Sequence, residues 1–138
     1  KADRIDRLDD GSLAILDYKT GKPPSSKQVK SHLTPQLPLE AAIVQAGGFG
    51  DIATGPVAQL TYVQLSGGRM PGKEQHLKLD VIEITEQARA GLEKLITEFD
   101  DAAMPYLSRP RVKFISRFGD YDHLARVKEW SVDPEDVS

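Results

Sequence analysis

Two β-prone runs meet at Asp9-Asp10-Gly11, and this junction restricts the fold more than any other stretch of the chain. Residues 1–8 alternate in character, and residues 12–18 (Ser-Leu-Ala-Ile-Leu-Asp-Tyr) are apolar and β-prone. Asp-Asp-Gly between them is a turn signal. A three-residue loop with Gly11 in the left-handed conformation closes such a hairpin. In that register Ile5 faces Ile15, Arg7 faces Leu13 and Asp3 faces Asp17, and partners across strands share a face. The period of two then puts Lys19 on the face of Asp17. A two-residue loop would send Asp3 to the other face, so the loop length has a chemical consequence. The chain opens on what reads as a strand already under way, which is the expectation for an N-terminally truncated piece of something longer.

Downstream, Thr20-Gly21-Lys22-Pro23-Pro24-Ser25-Ser26 breaks both regular structures. Ser25 or Ser26 is placed to cap a short turn reaching Leu33. Thr34 reads as a cap with Pro35 at the first helical position, opening a helix to about Gln45 that stops at Gly47-Gly48. Residues 57–66 alternate as a strand that Gly67-Gly68 ends, and residues 75–82 read as a weaker edge strand. Thr85 is the expected cap of a helix that carries Ala88, Leu92, Leu95, Ile96, Phe99 and Ala103 on one face and ends at Pro105. A loop and a short helical stretch near 122–130 follow. This order predicts an α/β fold, a mixed β-sheet flanked by helices, over residues 1–131, with a polar tail at 132–138.

Composition narrows the chemistry. The 138 residues are 39% apolar and 28% charged, the balance of a globular chain. No run of 18 apolar residues is present, so no membrane partner is expected. There is no cysteine, which excludes disulfides, thiolate zinc sites, iron–sulfur clusters and cysteine nucleophiles. His32, His76 and His123 lie far apart, without metal-ligand spacing. The net charge of -3 argues against electrostatic DNA binding by the chain as a whole. Residues 18–33, however, hold Lys19, Lys22, Lys27 and Lys30 with no acid, and residues 105–119 hold Arg109, Arg111, Lys113 and Arg117 with none. An anionic partner has to meet these segments.

The chemistry concentrates in Asp3, Asp17 and Lys19, on one face at one end of the hairpin. Two facing carboxylates repel unless a cation sits between them, and hard oxygen ligands favour Mg²⁺ or Mn²⁺. The Tyr18 carbonyl can add a third oxygen. Lys19 supplies a positive charge beside the metal, where it can orient or help deprotonate a water or stabilise developing negative charge. A phosphodiester is the natural electrophile for that set. The plain alternative is that Asp3 and Asp17 are solvated strand-end residues and that Lys19 pairs with one of them.

Asp-Arg-Ile-Asp, a short turn, Leu-Asp-Tyr-Lys-Thr-Gly and then Pro-Gln-Leu-Pro-Leu resemble the PD-(D/E)xK nuclease superfamily, whose fold is the restriction-endonuclease-like core. Within it the chain resembles RecB-type nuclease domains, most of all the C-terminal nuclease domain of AddB double-strand break repair proteins. The closing Tyr121-Asp122-His123-Leu124-Ala125-Arg126-Val127-Lys128-Glu129-Trp130 extends that likeness over nearly the whole chain. The resemblance implies metal binding by Asp3 and Asp17, a catalytic role for Lys19, and a place for Gln36 near the active site and the DNA. Glu40 stands where the family usually has tyrosine. The iron–sulfur staple of many relatives is absent. The resemblance further implies a Mg²⁺-dependent deoxyribonuclease, an AddA-type helicase–nuclease partner, DNA end resection, and a cytoplasmic, nucleoid-associated bacterial setting.

Lys22, Lys27 and Lys30 can track phosphates beside the metal site, or form a solvated loop. Arg109, Arg111, Lys113 and Arg117, with Phe114 and Phe118 interleaved, can bind single-stranded DNA by charge and stacking, although the aromatics better suit core anchors of a C-terminal extension. His123 reads as structural and Trp130 as a lid on the core. A different class stays open as well: a non-catalytic DNA-binding or subunit-docking fragment, inactive through truncation or degeneration.

Overall fold

The computed structural model describes residues 2–67 and 72–105. The chain divides into two compact units, Lys1–Asp100 and Asp101–Ser138, and every described strand and helix belongs to the first. The expected boundary at 131/132 and the stretch at 122–130 lie outside the described residues, as do Arg109, Arg111 and Lys113.

The first two strands, β1 (Arg4–Arg7) and β2 (Leu13–Lys19), pair antiparallel with Ile5 opposite Ile15 and Arg7 opposite Leu13. Beyond the ladder, the Leu8 amide donates to the Ser12 carbonyl at 2.8 Å and the Gly11 amide to the Leu8 carbonyl at 2.9 Å. The loop is therefore Asp9-Asp10-Gly11, and Gly11 takes φ +83°, as its sequence requires. The Asp10 carboxylate accepts from both the amide and the hydroxyl of Ser12, at 2.9 and 2.6 Å. Those bonds hold its pKa below the usual carboxylate range.

The chain then crosses over through α1 (Ser26–Lys30) and α2 (Gln36–Gln45) to β3 (Val57–Leu65), which runs parallel to β2, and β4 (Gly72–His76) pairs antiparallel with β3. The sheet order is β1-β2-β3-β4, the mixed sheet that the sequence predicts. A long helix, α3 (Val81–Phe99), follows.

Helix ends follow local chemistry. Ser25 caps α1 in a reciprocal box with Gln28. α2 closes in a Schellman arrangement: the Gly48 amide donates to the Ile43 carbonyl, the Gly47 amide to that of Val44, and Gly47 takes φ +74°. The start of α2 differs from expectation. Pro35, not Thr34, is the N-cap, and it makes no side-chain cap bond. The third helical residue is Pro38, which has no N–H for a cap to satisfy.

Two further expectations are corrected around α3. The stretch 75–82 is not one strand. β4 ends at His76, Leu77 adds a single amide bond to the Leu60 carbonyl, and Asp80 caps α3 by accepting from the Glu83 amide. The alternation Leu77, Leu79, Val81 resembles a strand, but Asp80 accepts an N-terminal amide and nucleates the turn. Thr85, the expected cap, lies inside the helix and is buried. Helix α3 also ends at Phe99, so Ala103 lies beyond it. Ile84, Thr85 and Ala88 in its first half are buried, whereas Leu92, Leu95, Ile96 and Phe99 are exposed. Periodicity marks a face as apolar; it does not supply a neighbour to cover it.

The core lies between the sheet and the helices. Alternation along β2 sends Leu13, Ile15 and Asp17 inward together. They meet Leu60 and Tyr62 of β3, Leu37, Ala41 and Val44 of α2, and Ile84 of α3. An apolar face thus continues directly into a buried carboxylate.

Candidate active site

Asp17 is 1% exposed, and its burial follows from its parity with Ile15. A carboxylate taken from water needs partners. Asp17 has two: Lys19 Nζ lies 2.7 Å from Oδ2, and Gln36 Nε2 donates to Oδ1 at 2.6 Å. Lys19 is two residues along the same strand face, and Gln36 opens α2, whose buried side packs on that face. The network closes on itself, because Lys19 Nζ also donates to Gln36 Oε1 at 3.1 Å. Lys19 keeps about a third of its side chain exposed, at 33%, so the ammonium reaches both the buried acid and the solvent.

Asp3 stands just outside the ladder, which ends at the pair of Arg4 and Leu16. Its Oδ2 accepts from the Tyr18 amide at 3.1 Å, so the side chain turns toward the end of β2 between Asp17 and Lys19. Tyr18 pairs with Val63 in the parallel ladder, and its ring is exposed. The residue pattern groups Asp3, Asp17, Tyr18 and Lys19, the family resemblance adds Gln36, and the structure brings all five to one end of β2.

Two further residues belong to this cluster. Tyr62 pairs with Asp17 across β2 and β3, and Lys19 Nζ lies 5.9 Å from its ring centroid, within cation–π range. Burial, then the Asp17 charge, pushes its hydroxyl up to about 12. The sequence shows both strands but not their parallel pairing, so Tyr62 carries no signal of its own. Glu40 is 8% exposed and lies one helical turn after Gln36. Gln36 Nε2 donates to its Oε1 at 3.3 Å, while Oε2 is buried without a hydrogen-bond partner. Burial pushes the Glu40 carboxyl up; the Gln36 bond opposes this, and the charges of Asp17 and Asp3 add to it. The spacing of four from Gln36 is the signal that places Glu40 beside it.

Asp3 and Asp17 bring two carboxylates, hard oxygen donors of the kind a divalent cation takes, to one strand end. Among the described residues no group of three or more histidine or acidic side chains is placed to hold a metal ion.

Three of the basic candidates fall among the described residues. Lys22 lies in the loop after β2 and is exposed, and Lys27 and Lys30 occupy the last turn of α1, also exposed. Lys30 lines a cleft with Leu79, Asp80, Glu83, Ile84 and Gln87, so carboxylates stand beside that lysine. Among the described residues no helix is long and apolar enough to cross a membrane.

The profile of the PD-(D/E)XK nuclease superfamily matches residues 1–112. The chain belongs to this superfamily. Its fold, a mixed four-stranded sheet with flanking helices, is that of the superfamily's restriction-endonuclease-like core. Membership implies nuclease chemistry in general, and these nucleases generally use divalent metal ions. An uncharacterized protein of Rickettsia conorii is 26% identical over 151 residues, covering 91% of this chain and 17% of that protein. Uncharacterized proteins of Rickettsia bellii and Rickettsia felis are each 42% identical over 48 residues, covering 35% of this chain and 6% of theirs. The chain thus spans about a sixth or less of these relatives. No solved structure matches it.

Proposed function

We propose that this chain is the nuclease domain of a larger DNA end-processing protein of the AddB type, which cleaves phosphodiesters with Mg²⁺ or Mn²⁺ held by Asp3, Asp17 and the Tyr18 carbonyl. One observation carries the reading. A buried carboxylate, a half-solvated lysine and a helix-borne glutamine form a closed ring at the strand end that the superfamily motif occupies. A bound divalent ion would supply charge neutralisation and acidify a water. Lys19, tethered to Asp17 and Gln36 and still partly open to solvent, stabilises negative charge on the phosphate oxygens or orients the attacking water. Gln36 holds Asp17 and Lys19 at fixed separation, so that the site is organised before DNA arrives. Lys22, Lys27 and Lys30, with Arg109, Arg111 and Lys113 from the C-terminal part, would meet the DNA backbone. The partner is an AddA-type helicase–nuclease subunit, and the setting is the bacterial cytoplasm beside the nucleoid.

The test is cleavage of linear DNA by the intact protein with and without Mg²⁺. Metal-dependent cleavage lost in both Asp17→Asn and Lys19→Met supports the reading. Full cleavage by either variant removes that residue from the site. One observation favours a non-catalytic DNA-binding or docking module instead: Asp17 Oδ1 accepts from Gln36 and Oδ2 is held in an ion pair with Lys19, so the acid is already neutralised by protein groups, although Oδ2 itself accepts no hydrogen bond. Tight DNA binding without Mn²⁺ binding by the intact protein would select that second reading.

A further inference from the structure

The Gln36 amide faces three charged groups at once. Its nitrogen carries two hydrogens and meets two carboxylates, Asp17 Oδ1 at 2.6 Å and Glu40 Oε1 at 3.3 Å. Its oxygen meets the Lys19 ammonium at 3.1 Å. Turning the amide over would put the carbonyl against both acids and the NH₂ against the ammonium, all three contacts in the wrong sense. With Asp17 alone, one N–H would lack a protein partner and the side chain could rotate toward solvent, because Gln36 is itself exposed. Glu40 supplies the second acceptor. It sits one turn along α2, where side chains four apart meet, and burial to 8% exposure holds it in place.

We infer that Glu40 is a positioning residue for the cleavage reaction: it locks the Gln36 amide in the orientation that spaces Asp17 from Lys19. This rests on the nuclease reading for its catalytic consequence, but the lock itself is a property of the folded chain. A buried acid with one unpartnered oxygen costs stability, so its presence behind the ring is explained by what it does to Gln36. Leucine has similar bulk at that site but no acceptor. Glutamine keeps an acceptor oxygen toward Gln36.

The experiment is a double-substitution cycle in the intact protein, using Glu40→Leu, Glu40→Gln, Gln36→Leu and the Gln36→Leu/Glu40→Leu pair. Cleavage of linear DNA is measured with Mg²⁺, resolved into kcat and KM. Glu40→Leu is expected to lower kcat about tenfold with little change in KM, the signature of a group that acts on the transition state. Glu40→Gln restores most of that loss. In the Gln36→Leu background Glu40→Leu has no further effect, because residues acting through one another are not additive. An equal loss in both backgrounds, or no loss in either, overturns the inference. Urea denaturation of the same four single and double combinations reads the coupling without any cleavage. A midpoint shift for Glu40→Leu that is the same with and without Gln36 also overturns it. If the parent protein does not cleave DNA while the denaturation cycle shows coupling, the lock stands and the nuclease reading alone fails.

Discussion

Lys19 Nζ lies 2.7 Å from Asp17 Oδ2, and the acid's side chain is only 2% exposed while the lysine's is 33% exposed. The pair is thus lopsided: one partner has lost its water and the other has not. Removing the lysine leaves a buried charge with a single neutral donor, Gln36. Lys19→Met should destabilise the fold by about 1–3 kcal/mol. Asp17→Asn removes the charge that needs pairing and should stay within about 1 kcal/mol of the parent while abolishing cleavage. Urea denaturation of both variants checks this. A Lys19→Met protein as stable as the parent would mean that Asp17 does not depend on the pair.

The second prediction concerns the divalent ion. A ligand that binds only the folded state adds about 2.7 kcal/mol of stability at a hundredfold excess over its Kd. Titrating Mg²⁺ or Mn²⁺ into the intact protein should therefore raise its melting temperature. Asp3→Ala and Asp17→Asn should each flatten the response, and a chelator should stop cleavage reversibly. An unchanged response in both variants would place any metal site elsewhere.

Glu40 gives a pH dependence with a definite sign. Burial, with the charges of Asp17 and Asp3, raises its folded pKa above the ordinary 4.5. The folded state therefore prefers the protonated acid. That preference stabilises the fold fully below about pH 4.5 and is lost as pH rises through the raised value. Glu40→Gln never acquires the charge. Its stability relative to the parent should climb between acid and neutral pH, measured as the difference of two urea midpoints. A difference that stays flat with pH would show that burial does not raise the Glu40 pKa.

How much of this was readable from residues alone differs by element. The hairpin was legible because Asp9-Asp10-Gly11 sets its register locally, and that register carries Asp3, Asp17 and Lys19 to one end. Gln36 came from a family resemblance, which the ring around Asp17 places beside Lys19. Tyr62 was not legible, because the parallel pairing of β2 with β3 is a long-range choice that neither strand encodes by itself. The start of α3 was misread at Thr85 because Leu77, Leu79 and Val81 alternate as a strand would, and only the Asp80 cap decides the matter. The apolar residues Leu92, Leu95, Ile96 and Phe99 share a helix face by their spacing, and they are exposed. Patterning specifies what a helix offers, whereas burial depends on what lies opposite.

The hairpin loop permits a sharper test, because glycines at the two ends of β2 are alike in open space and differ in backbone φ. Gly11 sits at φ +83° with nothing within 4 Å of the position a Cβ would take. Gly21, in the loop after β2, is equally open, and its φ lies outside the left-handed range. A side chain at Gly11 meets no steric neighbour, so its whole cost is the left-handed backbone, about 1–2 kcal/mol. At Gly21 an alanine meets neither obstacle and should be neutral or stabilise by about 0.4–1 kcal/mol through the unfolded chain. Gly11→Ala should therefore lower the urea midpoint while Gly21→Ala leaves it equal or higher. The consequence for the site is indirect, since the loop sets the register that places Asp3 beside Tyr18. If Gly11→Ala is as stable as the parent, the loop has relaxed to another turn. The hydrogen bond from the Tyr18 amide to Asp3 should then be lost, which amide hydrogen exchange at Tyr18 would reveal.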